Sequence, residues 1–261
     1  MTSRGPVGTS LRIARVSTPE LTTASTALTS LVAVPLLEVL LIVAVSASLG
    51  GDDLVRTAYA AIILAYGLSI ITGTVGQVTR DRQIGVLQEA LMSRFFYLPY
   101  WLGKVTVPAV LGAAVAVASS LAVLLVDPER SAQAFVGTVA LLPVVTVGAS
   151  LAAVGVATLS VGASDPYLVA NVAQGVLPLT AGVVVPLSSY PAVLAHAASA
   201  LPFTAAVEAM RVLQDGGDAA LVATLMTREL LVCAVWFVVG AVVSRRVVRA
   251  LRDGRRREEI W

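Results

Sequence analysis

The chain has 261 residues, of which 57% are hydrophobic and 13% charged, against about 25% charged in a soluble globular domain. A soluble core cannot absorb that much apolar surface. With one cysteine and one histidine in the whole sequence, an internal disulfide framework and a cysteine-based metal site are excluded as well.

Met1 to Pro19 is rich in Ser and Thr and carries Arg4, Arg12 and Arg15. No short apolar core followed by a small-residue cleavage site occurs there, so we read no removable signal peptide. Leu11, Ile13 and Val16 interleave with Arg12 and Arg15, which suits a short helix lying on a membrane surface. A first span is expected over about 27–49, with Pro35 and Glu38 inside it, and Gly50 to Asp53 as the turn after it. A second is expected over about 57–78. The hydrocarbon layer is about 30 Å thick and needs about 20 apolar residues of helix. The stretches Thr57 to Thr79 and Val105 to Val126 meet that requirement without one Asp, Glu, Lys or Arg.

Arg80 to Lys104 is the charged stretch in the middle of the sequence, and we expect it between the second span and a third over about 105–126. It begins Arg80, Asp81, Arg82 and continues as a short amphipathic segment. Val86, Leu87, Ala90 and Leu91 can share one face there, with Gln83 and Glu89 elsewhere. Phe95, Phe96, Tyr97, Tyr100 and Trp101 follow as an aromatic group suited to the water interface. Asp127 to Arg130 is so short a connection that the third span and a fourth, about 132–159, are expected as antiparallel neighbours. A fifth span is expected over about 167–185. Pro186, Pro191 and Pro202 then divide an apolar region, 186–211, too interrupted for one straight helix. It reads as a re-entrant pair of short helices ending near Glu208 and Arg211. A last span, about 223–244, leads to a tail with seven arginines, Arg245 to Arg257. Basic residues directly after a span are more often a cytoplasmic anchor than a nucleic-acid surface.

With the N-terminus inside, the inner segments carry fourteen Lys and Arg and the outer ones four: Arg56, Arg130, Arg211 and Arg228. Positive residues are retained on the cytoplasmic side, so both termini are expected there. The expected fold is all-α and polytopic, with six transmembrane helices in one domain over 1–261.

Among single residues, Glu38 is the carboxylate expected at membrane depth, where an acid is costly and a functional candidate. Proximity to the inner leaflet, or pairing with a polar helix face, accounts for it equally well. His196 has no supporting ligands, and no metal site is expected. Gly112 with Ala116, and Gly148 with Ala152, have the spacing that lets helices approach closely. No phosphate-binding loop of the form GxxxxGK[ST] occurs, no nucleophile-base pair stands out and no internal repeat is apparent.

Gly85 to Arg94, followed by Leu102, Gly103 and Lys104, resembles the cytoplasmic stretch of type-2 ABC export permeases, the membrane subunits of actinobacterial drug and polysaccharide efflux. A second resemblance runs through Ala181 to Pro186, Ser188 to Pro191, Leu201 to Phe203 and Glu208 to Arg211. There Gly182, Pro186, Pro191, Pro202, Glu208 and Arg211 form the re-entrant or gate region. The resemblance implies an ATPase-coupling segment comprising Arg80, Asp81, Arg82, Gly85, Val86, Leu87, Gln88, Glu89 and Leu91. It also implies a cytosolic ABC ATPase subunit as partner, which would hold ATP and Mg, and a second permease chain, identical or related. No cofactor and no nucleic acid are expected on this chain. The implied protein sits in the bacterial inner membrane and exports a hydrophobic or amphipathic drug, antibiotic, lipid or peptide. A proton-coupled transporter using Glu38, or an assembly or sensor protein that moves nothing, are the alternative classes. Arg outnumbers Lys seventeen to one, a compositional hint of a GC-rich bacterial genome.

Overall fold

The computed structural model describes residues 33–48, 54–87, 97–161 and 163–252, together with Ser25 and Thr29. Among these residues the ordered elements are helical. They are α1 (Val34–Ser48), α2 (Leu54–Gln83), α3 (Leu98–Val126), α4 (Ala132–Ser160), α5 (Leu168–Thr180), a 3-10 turn (Leu187–Ser189), α6 (Ala192–Ser199), α7 (Thr204–Gln214) and α8 (Ala219–Arg252). Four of them, α2, α3, α4 and α8, are long and apolar enough to cross a membrane. The pair α6 and α7, bent by 101° at the break between them, makes a fifth if counted as one span. α5 is a shorter apolar helix of 13 residues.

α2 is the central helix, packed on by α1, α3, α4, α5 and α7. Its apolar side chains Tyr59 to Leu64, Ile70, Ile71 and Val75 are almost fully buried. In hydrocarbon the hydrophobic effect gives helices no reason to associate, so the packing rests on close fit and on polar contacts. The Tyr66 hydroxyl lies 2.6 Å from the Thr146 hydroxyl and 3.3 Å from the Ala109 carbonyl, joining α2, α4 and α3 at one point. At Gly73 α2 also comes close to α3: a Cβ there would stand 2.8 Å from Cβ of Pro108.

α4 and α8 run parallel and make the most extensive helix contact in the bundle. Backbone meets backbone where they cross. A Cβ on Gly155 would lie 2.5 Å from the Trp236 carbonyl oxygen, and one on Gly240 would run into the Gly155 carbonyl. The small residues expected to permit close approach sit at such contacts. Gly148 faces Cys233, Gly112 faces Tyr66 and Ser69, and Ala152 is fully buried. α4 opens on a capped turn. Both Asp127 carboxylate oxygens accept from backbone amides, of Glu129 and Ser131, and the Ser131 side chain accepts from Ala134 N. That turn makes α3 and α4 antiparallel.

Several expected boundaries move. The fifth expected span, about 167–185, is a helix only over Leu168–Thr180, and the last, about 223–244, lengthens to Ala219–Arg252. The helix of the second expected span runs five residues past Val78, to Gln83, and that of the third begins seven before Val105, at Leu98. Asp81 and Lys104 therefore lie within helices rather than in a connecting loop. The physical reason is their mutual pairing, described below. The interfacial helix expected around Leu11 to Val16, the first residues of the first expected span apart from Thr29, the turn at Gly50 to Asp53, all of Gln88 to Phe96 and the basic tail from Asp253 lie outside the described residues.

Candidate functional site

Polar side chains gather at the two ends of α2. At the Gln83 end, Asp81 is buried and its carboxylate accepts from Lys104 Nζ at 2.9 Å and from the Tyr100 hydroxyl at 2.8 Å. Lys104 is equally buried, and its ammonium also lies 5.5 Å from the centre of the Tyr100 ring, which meets Trp101 edge-on. An acid in the last turn of a helix opposes the helix dipole. A desolvated charge persists only when paired and hydrogen-bonded, and Lys104 with Tyr100 meets both needs from α3. Beside it, Arg82 donates to the Ala163 carbonyl at 2.9 Å, tying the connection between α4 and α5 to the same end.

Of the expected coupling residues, Arg80 is exposed, Asp81 faces inward and Arg82 is partly buried. α2 stops where Gly85 takes a left-handed backbone conformation, φ 79°, with its amide bonded to the Arg82 carbonyl. Ile84 and Val86 point outward while Leu87 is 1% exposed. Val86 and Leu87 thus do not share a face, because neighbours on a helix are about 100° apart. Gln88, Glu89 and Leu91 lie outside the described residues.

At the Leu54 end, the structure gathers much of the second expected group. Gly182, at φ 80°, turns the chain after α5. The Val183 carbonyl next to it accepts from Arg211 Nη2 at 2.7 Å. Arg56, on α2, donates to the Arg211 carbonyl and forms an ion pair with Asp215. Each proline marks a break: Pro186 precedes the 3-10 turn, Pro191 precedes α6, and Pro202 lies between α6 and α7. Glu208 stands 3.9 Å from Arg228 of α8. Val183 and Arg211 are bonded to each other, so the bent pair leaves this end of the bundle and returns to it.

The tip of the bend reaches far along α2. Phe203 is 1% exposed, and its ring fills the place a side chain at Gly67 would take. Gly67 lies 13 residues along α2, about 20 Å from its start at 1.5 Å per residue. Phe203 holds φ at 72° and supplies no side-chain cap to α7. The cap comes from α8. Glu229, 1% exposed, accepts from the Phe203 amide at 2.6 Å and the Ala206 amide at 3.3 Å, and its Oε1 lies 3.1 Å from Cys233 Sγ.

Sequence reasoning missed Glu229. Glu38, taken as the carboxylate at membrane depth, lies on α1, whereas the buried intrahelical acid of the last span is Glu229. Glu229 falls inside the last expected span, about 223–244, beside Arg228, and nothing in the sequence around it singled it out. The usable signal was a helix start at Pro202–Phe203–Thr204 without an acidic residue in its first turn. Such a start must find its acceptor elsewhere. A carboxylate on a membrane helix costs about 3 kcal/mol at the centre, and hydrogen bonds from a helix N-terminus offset that cost.

His196 is exposed, with Nδ1 2.6 Å from the Ala192 carbonyl. Among the described residues no three His, Cys, Asp or Glu side chains come together as a metal site would need. The described side chains gathered at the two ends of α2 pair charges and hold backbone carbonyls. Compared with known proteins, residues 12–214 match the family model described as ABC-2 type transporter. No curated protein and no solved structure matches the chain.

Proposed function

From the premise that this chain belongs to the ABC-2 type transporter family, a family of membrane transport components, we propose that it is the permease subunit of an exporter driven by a separate ATPase. It forms a single multi-pass domain in a bacterial inner membrane. A cytosolic ABC ATPase subunit holds ATP and Mg, and a second permease chain, the same or related, completes the path. The Gln83 end of α2 is the cytoplasmic end, in line with the bias of Lys and Arg, and both termini lie on that side. The bent pair α6–α7 is a re-entrant element on the outer side. The cargo is hydrophobic or amphipathic, a drug, antibiotic, lipid or peptide, consistent with apolar helices carrying few fixed charges.

One observation carries the coupling part of this reading. The segment beginning at Ile84 grows directly out of the central helix, at the point where Asp81 binds α3 and Arg82 binds the connection to α5. A push on it reaches three elements at once. The surface offered to the ATPase is then Arg80, Gln83, Ile84 and Val86, which are exposed, continuing into Gln88, Glu89 and Leu91. Asp81 and Leu87 hold the segment to the bundle instead. The apolar outer faces of α1 and α8, including Leu40, Leu41, Leu231 and Val235, meet lipid or the second permease.

Co-purification from native membranes in mild detergent tests this. An ATPase subunit is expected to accompany the wild-type chain, and Val86→Asp, which changes an exposed side chain, is expected to weaken that association about tenfold, or ~1.4 kcal/mol, while the permease still elutes as a folded species. Absence of any ATPase subunit from the wild-type preparation would overturn the reading. Undiminished association of the Val86→Asp chain would move the docking surface elsewhere.

A further inference from the structure

The contacts of Glu229 place an acidic side chain of one long helix on the backbone of another element. Both carboxylate oxygens are occupied by the first turn of α7: Oε1 by the Phe203 amide at 2.6 Å, Oε2 by the Ala206 amide at 3.3 Å. The Phe203 ring meanwhile occupies the notch left by Gly67 on α2. α7 packs between α2 and α8, so its tip is gripped from both sides. The grip from α2 is apolar and nondirectional; on the α8 side Arg228 and Trp236 reach the Ser199 and Ala200 carbonyls at 3.4 and 3.0 Å, and Glu229 is the side chain that holds the amides of the first turn of α7. Phe203 sits in a left-handed conformation, which a bulky residue keeps only while its surroundings enforce it. The outer end of the pair is held separately: Arg211 donates to the Val183 carbonyl, and Arg56 of α2 binds the Arg211 carbonyl and Asp215, while the Glu208–Arg228 pair is more than two-fifths exposed at 3.9 Å.

We infer that Glu229 is a latch: a positioning residue whose carboxylate seats the tip of the α6–α7 pair, and whose release frees that tip to swing away from α2 about the end that Arg56 holds. In the exporter reading this makes the pair the movable part of the outer half of the path. That consequence rests on the proposed function, but the latch itself does not. An isosteric glutamine at 229 tests it, since its amide nitrogen would face a backbone N–H that needs an acceptor.

The test uses the full-length chain in native membranes, with Cys233→Ser so that a single introduced cysteine reports. Ala209→Cys lies on α7 and Ala152→Cys on α4, and both parent positions are fully buried. The probe is N-ethylmaleimide, and the readout is the labelling rate. Glu229→Gln is expected to raise labelling at 209 by about tenfold or more and to leave 152 unchanged, the pattern of a local opening. Glu229→Asp, which keeps the charge with a shorter reach, is expected to fall between, and it decides the matter if the glutamine variant does not accumulate. Labelling at 209 that stays at the parental rate would overturn the latch. So would an equal rise at both positions, because that reports general loosening. Neither result bears on whether an ATPase subunit co-purifies, so failure here and failure of the exporter reading are distinguishable.

Discussion

Gly240→Leu is expected to prevent assembly of the helix bundle. A side chain at 240 would be driven into the Gly155 carbonyl and the Thr158 hydroxyl, and the opposing glycine is no more forgiving, with the Trp236 carbonyl 2.5 Å from a Cβ at 155. Overfilling a packed core usually costs about 1–3 kcal/mol because neighbouring side chains can rotate away. Here the obstacle is helix backbone, which cannot. α4 and α8 must separate, and the fully buried Ala149, Ala152, Ala153 and Cys233 beside the crossing lose their contacts with it. The expected cost is at the upper end of that range or beyond, ~3 kcal/mol or more. It would be seen as loss of the monodisperse peak on size-exclusion chromatography in mild detergent. Gly76→Leu is the control. Nothing lies within 4 Å of a Cβ there, so that variant should elute as the wild type does. Normal elution and melting of the Gly240→Leu protein would mean that the two helices do not meet at this distance.

Removing Lys104 is the second change with a large expected effect. Lys104→Met leaves the Asp81 carboxylate buried with only the Tyr100 hydroxyl to satisfy it. Breaking one side of a buried ion pair costs about 3–5 kcal/mol, whereas removing both charges is often close to neutral. The thermal midpoint should therefore fall steeply in Lys104→Met. Most of the loss should return in the double variant Asp81→Asn with Lys104→Met, which keeps an acceptor for Tyr100. Equal stability of the single variant and the wild type would show that water reaches Asp81.

These two sites mark how far the sequence can be read. The long helices follow from uncharged stretches such as Thr57 to Thr79, because hydrocarbon thickness dictates a length that composition reveals directly. The antiparallel order of α3 and α4 follows from the short Asp127–Arg130 turn. Where α2 ends does not follow. Asp81 looks like a loop residue until Lys104, 23 positions on, is placed against it, and pairing at that separation is a property of the packed bundle. Glu229 is harder still, since its partners are backbone amides, which leave no mark in composition. The prolines at 186, 191 and 202 announced the breaks in the outer region, and Arg211 stood out by its charge. That Arg211 would bond to Val183, closing the bent pair on itself, required the fold.

The Gly73–Pro108 contact also divides the central helix unequally. Gly73 lies 19 residues from Leu54 and 10 from Gln83, or about 28 Å and about 15 Å of unbroken helix. With no side chain of α2 between the two helices at this point, anything larger than glycine at 73 would push Pro108, and α3 with it, off both stretches at once.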